Sequence, residues 1–158
     1  MEWLAEAPAA LQASAFGAWA RGPAYAWLNV GHLLGLVLLV GPIGILDLRL
    51  CGFGRVLPAA PLARFLTPFA VAGLAVAAPT GFGMFAADAT SLAASATFRW
   101  KLALVGLGLM NALAFRLVWH RQLDGWNEKP AVAGRAIAVA SLAIWLIVAT
   151  LGRMIAYT

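Results

Sequence analysis

The residues best suited to bind a cofactor are one histidine and two methionines. His32 lies five residues after Trp27, inside a stretch long and apolar enough to cross a membrane. At a helical rise of about 1.5 Å per residue, its imidazole is expected about 8 Å below the membrane surface that Trp27 marks. Met84 and Met154 are predicted in the same half of the membrane, and thioethers with an imidazole suit Cu(I) or a haem axial pair. His32, Met84 and Met154 therefore form a candidate site for haem b or copper, with His32 as the metal ligand.

Two other interpretations of His32 stay open. The imidazole either hydrogen-bonds a neighbouring helix and stabilises the packing, or it relays a proton. A haem held between His32 and His120 is excluded, because the two histidines are predicted near opposite membrane faces, about 20 Å apart by span length. That separation is far larger than the distance between two axial ligands of one iron.

Six charged residues are predicted within or at the ends of the apolar stretches. Asp47 and Arg49 close the first stretch, and Arg116 is predicted near the same membrane face. A charge at this depth must be paired or reach water, so we predict structural pairing, with a salt bridge between Asp47 and Arg116. A substrate or proton path through these residues stays open. A second layer of polar residues, which contains His32, is predicted near the opposite face. There we predict structural pairing of Asp88 with one of two cations, Lys101 or Arg153.

The composition excludes several classes of protein. Hydrophobic residues make up 63% of the 158 residues and charged residues 11%, with a mean hydropathy of +0.88. Soluble domains are closer to half apolar and a quarter charged, so lipid is the solvent that fits this chain. The net charge of +5 does not indicate a nucleic-acid binder, because the basic residues lie singly at the ends of apolar runs. A single cysteine, Cys51, excludes an intramolecular disulfide.

The hydropathy pattern predicts an all-α, polytopic membrane protein. We expect one integral membrane domain over residues 1–158, in which four transmembrane helices form a bundle preceded by an N-terminal interfacial helix. That helix is predicted over residues 3–20, a segment too short and too interrupted by Pro8 to span the bilayer. The segment from Asp88 to Phe98 is predicted to be a loop. The four spans, each near the roughly 20 residues that cross a hydrocarbon core, are predicted over residues 25–48, 65–86, 99–120 and 131–157.

The distribution of basic residues predicts the orientation of the chain. Basic residues are more numerous in cytoplasmic connections than in exported ones. Seven of them lie in or beside the connection between spans one and two and the connection between spans three and four, on one side of the membrane. The other four lie on the opposite side, together with both termini. Both termini are therefore predicted to be periplasmic, in a bacterial inner membrane. The seven residues are Arg49, Arg55, Arg64, Arg116, Arg121, Lys129 and Arg135.

Small residues spaced four apart suggest where the helices approach closely. The pairs are Gly31 with Gly35, Gly73 with Ala77, and Ala136 with Ala140. Small residues let helix backbones meet in a membrane, where no hydrophobic effect drives the helices together. Chance occurrence in helices rich in alanine and glycine is the alternative.

Five segments of the first three spans resemble one family. They are Asn29 to Gly35, Gly41 to Arg49, Pro79 to Gly83, Phe98 to Leu102, and Gly108 to Asn111. With this layout, the chain resembles small bacterial four-helix membrane proteins related to the copper-resistance D (CopD) family. The resemblance implies an inner-membrane helical bundle that handles copper or haem. It also implies His32 as a ligand and Lys101 as a structural charge.

Catalytic motifs are missing from the sequence. It contains no nucleotide-binding loop, no HExxH motif, no paired catalytic carboxylates and no plausible Ser-His-Asp set. We therefore predict a non-catalytic binding or accessory component, either a subunit of a larger membrane complex or a homo-oligomer. The alternative is a redox or transport protein that binds haem b or copper through His32. A third interpretation is a stress-resistance protein that acts alone without a cofactor.

Overall fold

The computed structural model describes residues 3–128 and 131–157, so that Lys129 lies outside the described residues, as does the side chain of His120. The described ranges contain seven α-helices, two short 3-10 turns and no strand. Four of the helices are long and apolar enough to cross a membrane, which confirms the predicted all-α membrane bundle. The helices are α1 (Trp3–Ala13), α2 (Ala15–Arg21), α3 (Ala24–Cys51), α4 (Ala59–Ala87), α5 (Ala89–Ala94), α6 (Ala96–Trp119) and α7 (Val132–Met154).

The second span begins six residues earlier than predicted, at Ala59. Pro58 has extended backbone immediately before the helix, and Pro61 lies in its first turn. A proline is tolerated there because the first N–H groups of a helix have no partner within it. Pro58 and Pro61 therefore mark the start of the helix.

The segment from Asp88 to Phe98 was predicted to be a loop, and this is wrong. It contains α5 and the first turn of α6. Tight turns at Asp88 and Ser95 separate these helices from their neighbours, and the Ser95 hydroxyl accepts a hydrogen bond from the N–H of Phe98 at 3.3 Å. Alanine-rich segments favour helix even when they are short and have polar neighbours.

The predicted N-terminal helix consists of two helices that meet at Ser14. The Ser14 hydroxyl caps α2 by accepting a hydrogen bond from the N–H of Gly17 at 3.1 Å. This helix pair packs against the far end of α4 and against α5. The Thr90 N–H donates to Gln12 Oε1 at 2.8 Å, and the rings of Phe16 and Phe82 stack with centroids 5.9 Å apart. We call this end of the bundle the α5 end, and the opposite end, with segments 52–58 and 120–128, the loop end.

The four long helices pack in the order α4, α3, α7, α6. The contact between α3 and α4 is the most extensive, and α7 packs against both α3 and α6. Between α4 and α6 the described residues make few contacts. At the α5 end the Phe85 and Phe98 rings stack across this gap, with centroids 5.4 Å apart. The bundle is therefore open along one side.

Small residues explain why α3 and α4 pack so closely. A Cβ atom added at Gly35 would lie 2.7 Å from the Ala77 nitrogen and 2.9 Å from the Gly73 oxygen, so no larger side chain fits there. This confirms close packing for Gly35, Gly73 and Ala77. The prediction for Ala136 and Ala140 is wrong, because both are exposed. The buried stripe of α7 consists instead of Gly134, Ala138, Ser141, Trp145 and Val148.

The close approach of α3 and α4 predicts a difference between two glycine substitutions. We expect Gly35→Ala to lower the stability of the bundle by about 1–3 kcal/mol, because the added methyl group meets backbone atoms that cannot move aside. Gly41→Ala is the matched control on the same helix, where an added Cβ meets nothing within 4 Å. The control should be neutral or stabilising by up to about 1 kcal/mol. Thermal unfolding in detergent measures both, and equal melting temperatures for the two variants would contradict the packing.

Candidate functional site

His32 is fixed between α3 and α4 by hydrogen bonds. Its Nδ1 lies 2.9 Å from the carbonyl oxygen of Ala77, one turn beyond the close contact at Gly73. The Thr80 hydroxyl lies 3.4 Å from the same nitrogen and donates to the Val76 carbonyl at 2.6 Å. A carbonyl oxygen only accepts, so Nδ1 carries the proton and Nε2 keeps its lone pair. The half-buried imidazole can therefore accept a hydrogen bond or bind a metal through Nε2.

Gly81 leaves the space that the imidazole of His32 occupies. A Cβ atom at Gly81 would lie 2.9 Å from His32 Cε1 and 3.2 Å from Nδ1. Because Ala77, Gly81 and Met84 follow one another along one face of α4, the Met84 thioether lies on the α4 face that packs against His32. Met84 is half-buried, whereas Met154 is 45% exposed at the end of α7. Helical spacing therefore puts Met84, and not Met154, on the α4 face toward α3.

A larger ligand set is not present near His32. Among the described residues, no group of three or more histidine, cysteine, aspartate or glutamate side chains is arranged to hold a metal ion. A metal at His32 would therefore rely on Nε2, a thioether and ligands from outside this set. The hydrogen bond from Nδ1 to a backbone carbonyl is the contact that orients metal-binding histidines in other proteins.

The three charges predicted around His32 lie in different surroundings. Lys101 is half-buried between α6 and α7, with its ammonium 3.5 Å from the position that a Cβ of Gly152 would occupy. Asp88 and Arg153 are exposed. The guanidinium of Arg153 donates to the Tyr157 hydroxyl and lies 4.8 Å from the centroid of its ring. The described partner of Arg153 is therefore an aromatic side chain on the next turn.

Arg49 ties together the two segments at the loop end. It is 3% exposed, and its Nε and Nη2 donate to the Leu57 carbonyl and to Asn127 Oδ1. Asn127 Nδ2 donates in turn to the Arg55 carbonyl at 3.2 Å. The described partners of Arg49 are thus neutral oxygens rather than a carboxylate. Hydrogen bonds of a charged donor are roughly twice as strong as those between neutral groups.

Trp126 also holds the segment before α7 at the loop end, and the sequence analysis missed it. Its indole N–H donates to the Leu50 carbonyl at 3.1 Å, and its ring occupies the space above Gly134. The surrounding apolar cluster joins α3, α4, α7 and the segment before α7. The only signal in the sequence is a Trp-Asn pair in a charged loop, and this pair does not reveal its partners.

Asp47 lies at the α3–α7 interface and faces Ser141. The carboxyl group is 7% exposed, and its Oδ2 has no hydrogen-bond partner among the described residues. Its predicted partner Arg116 is exposed on α6, a helix that does not pack beside α3. Ser141 was not singled out by the sequence analysis, because a serine in an apolar helix more often packs against a backbone carbonyl.

Comparisons of the chain with family models, with curated proteins and with solved structures gave no match. The resemblance to proteins related to CopD therefore remains a prediction. The structure itself establishes an integral membrane bundle whose helices contact lipid.

The contact between Arg49 and Asn127 predicts the effect of one loop substitution. Asn127→Ala leaves the buried Arg49 with one partner fewer and should lower the free energy of unfolding by about 1–3 kcal/mol. Gln122→Ala, an exposed position in the same segment, is the control and should change stability by less than about 0.5 kcal/mol. Denaturant or thermal unfolding in detergent measures both. If Asn127→Ala unfolds like the control, the loop does not hold Arg49.

Proposed function

We propose that this chain is a non-catalytic binding or accessory component of a membrane assembly and that it docks through α6. The observation that supports this proposal is the exposure of α6, the least buried of the four spans. Gly108 is its one buried residue in the described ranges, and it packs against Ile144 and Trp145 of α7. The other spans each pack on the bundle over a larger surface, so α6 has the most surface available to a partner.

The open side of the bundle adds to this argument. Few contacts join α6 to α4, so the side of α6 that is turned away from α7 is left uncovered. A second copy of the chain or a different subunit fits this surface.

The proposed location is the bacterial inner membrane, with both termini in the periplasm. Support comes from the basic residues, because the four described arginines Arg55, Arg64, Arg116 and Arg121 are exposed at or near the loop end. In this orientation the loop end faces the cytoplasm. The lipid-facing surface is supplied by exposed aliphatic side chains on all four spans.

Docking through α6 predicts the behaviour of two matched leucine variants. Leu113 on α6 and Leu34 on α3 are 56% and 59% exposed, so a tryptophan fits at either position without disturbing the bundle. We expect Leu113→Trp to shift the native complex to a smaller size and Leu34→Trp to leave it unchanged. Native electrophoresis and native mass spectrometry in mild detergent measure this size.

The same measurements separate the two kinds of partner. A complex that forms when the chain is expressed alone indicates a second copy, whereas a complex found only in native membranes indicates a different subunit. A monomer in both preparations, or equal effects of the two tryptophans, would refute docking through α6.

A second candidate function is haem b or copper binding in a redox or transport role. The specific observation in its favour is the hydrogen bond from His32 Nδ1–H to Ala77, which leaves Nε2 as a ligand with a fixed direction. Met84, on the α4 face that packs against His32, supplies a soft donor that suits Cu(I) or a haem axial position. This function uses the α3–α4 interface and does not depend on α6.

Cofactor binding at His32 predicts a spectroscopic difference between three variants. Wild-type protein purified in detergent should show a Soret band or stoichiometric copper, and His32→Ala should lose it. His120→Ala, which removes the other histidine, is the control and should keep it. Gly81→Ala should weaken binding, because the new methyl group displaces the imidazole. A colourless, metal-free wild type that takes up neither added haem nor Cu(I) would rule out this function.

A further inference from the structure

Three polar side chains are buried in a row between α3 and α7. Asp47 is 7% exposed, Ser141 is 3% exposed and Trp145 is 3% exposed. Ser141 and Trp145 are four residues apart on the buried stripe of α7, and Asp47 faces that stripe from α3. Polar groups buried in an apolar interface are costly unless they are hydrogen-bonded. This row is therefore a feature that apolar packing does not explain.

One carboxylate oxygen of Asp47 has no hydrogen-bond partner. Across the described residues, three buried side-chain nitrogens or oxygens make no hydrogen bond: Asp47 Oδ2, Arg135 Nε and Trp145 Nε1. Asp47 Oδ2 is the one acceptor among these three atoms, and no described donor reaches it. A buried carboxylate oxygen without a donor requires an explanation, such as a bound water molecule or a bound proton.

The carboxyl group of Asp47 can lower its cost of burial in two ways. If it is ionised, it needs a water molecule as hydrogen-bond donor, because an uncompensated carboxylate in a low-dielectric interior costs several kcal/mol. If it takes up a proton, the charge disappears and the Ser141 hydroxyl satisfies the neutral acid. The carboxyl group lies about 6 Å along the helix axis from the end of α3. A proton that exchanges with water at the loop end therefore travels about the length of one helical turn.

The other charged groups around Asp47 do not compensate it directly. Arg49, two residues further along α3, donates its hydrogen bonds to the Leu57 carbonyl and to Asn127 Oδ1. On α7 the nearest described cation is Arg135, whose Nε donates to no group. Cys51 lies one turn from Asp47 and is half-buried. In the apolar cluster at the loop end, α4 contributes only alanines, and the segment before α7 contributes Leu123 and Trp126.

We propose that Asp47 is a proton-binding site that exchanges with water at the loop end of the bundle. On uptake, a proton from that water forms an O–H bond with Oδ2 and neutralises the carboxylate. On release, the proton returns to the same water and the carboxylate is restored. Ser141 is the polar side chain of α7 that faces the carboxyl group. The proposal rests on the α3–α7 interface alone and is independent of docking through α6 and of a cofactor at His32.

Infrared difference spectroscopy tests this proposal on the full chain in detergent or lipid. On acidification, the wild type should gain the C=O stretching band of a protonated buried carboxyl group, and Asp47→Asn should lack that band. Asp88→Asn, which removes an exposed carboxylate at the other end, is the control and should keep the band. Ser141→Ala keeps the carboxyl group and removes its hydroxyl neighbour, so it should shift the band to higher frequency.

Three outcomes would overturn the proposal. If wild type and Asp47→Asn give the same difference spectrum while both are folded, Asp47 does not change its protonation state and is a permanently ionised or permanently neutral structural group. If Asp47→Asn does not fold, Ser141→Ala still decides the question, because a band that it leaves unchanged cannot come from Asp47. A band that fails to shift in D₂O would show that the proton does not exchange with water.

Discussion

The backbone contact between α3 and α4 determines where the polar groups of this protein can lie. Lipid offers no hydrophobic driving force between helices, so the strength of their association depends on how closely they approach. Gly35 and Gly73 remove the side chains that would hold the two backbones apart. Because the helices are so close, the imidazole of His32 reaches a carbonyl of the opposite helix, which a normal helix spacing would put out of range.

Helix α3 contributes to all three polar regions because it packs on two neighbours. His32 points toward α4, Asp47 faces α7, and Arg49 bonds the segments at the loop end. The helices α4 and α7 thus share α3 as a common partner and need not touch each other. The same arrangement leaves α6 held mainly by α7, which accounts for its exposure. A change in α3 should therefore affect several sites, whereas a change in α6 stays local.

The sequence was sufficient to predict the fold, but it was not sufficient to predict which polar residues contact each other. Hydropathy reports depth along one axis, so it placed the four spans and sorted His32 and Asp47 into opposite layers. It does not report which helix is the neighbour of which, and two residues at equal depth can lie on opposite sides of the bundle. Asp47 was therefore matched with Arg116 by depth, while the packing order brings it to Ser141. Trp126 was missed for a related reason, because its partner is a backbone carbonyl, which leaves no trace in the sequence. Asn127 was missed because the sequence does not show that it contacts Arg49, 78 residues away.

The two polar layers are separated by an apolar seal. His32 and Asp47 are fifteen residues apart on α3, about 22 Å along the helix axis. Between them, Leu39 packs with Trp145 and Val148 of α7, and Leu109 of α6 closes the cluster from the other side. A proton cannot cross such a layer without a continuous chain of water or polar groups. Chemistry at His32 and protonation at Asp47 would then proceed independently, each in contact with its own side of the membrane.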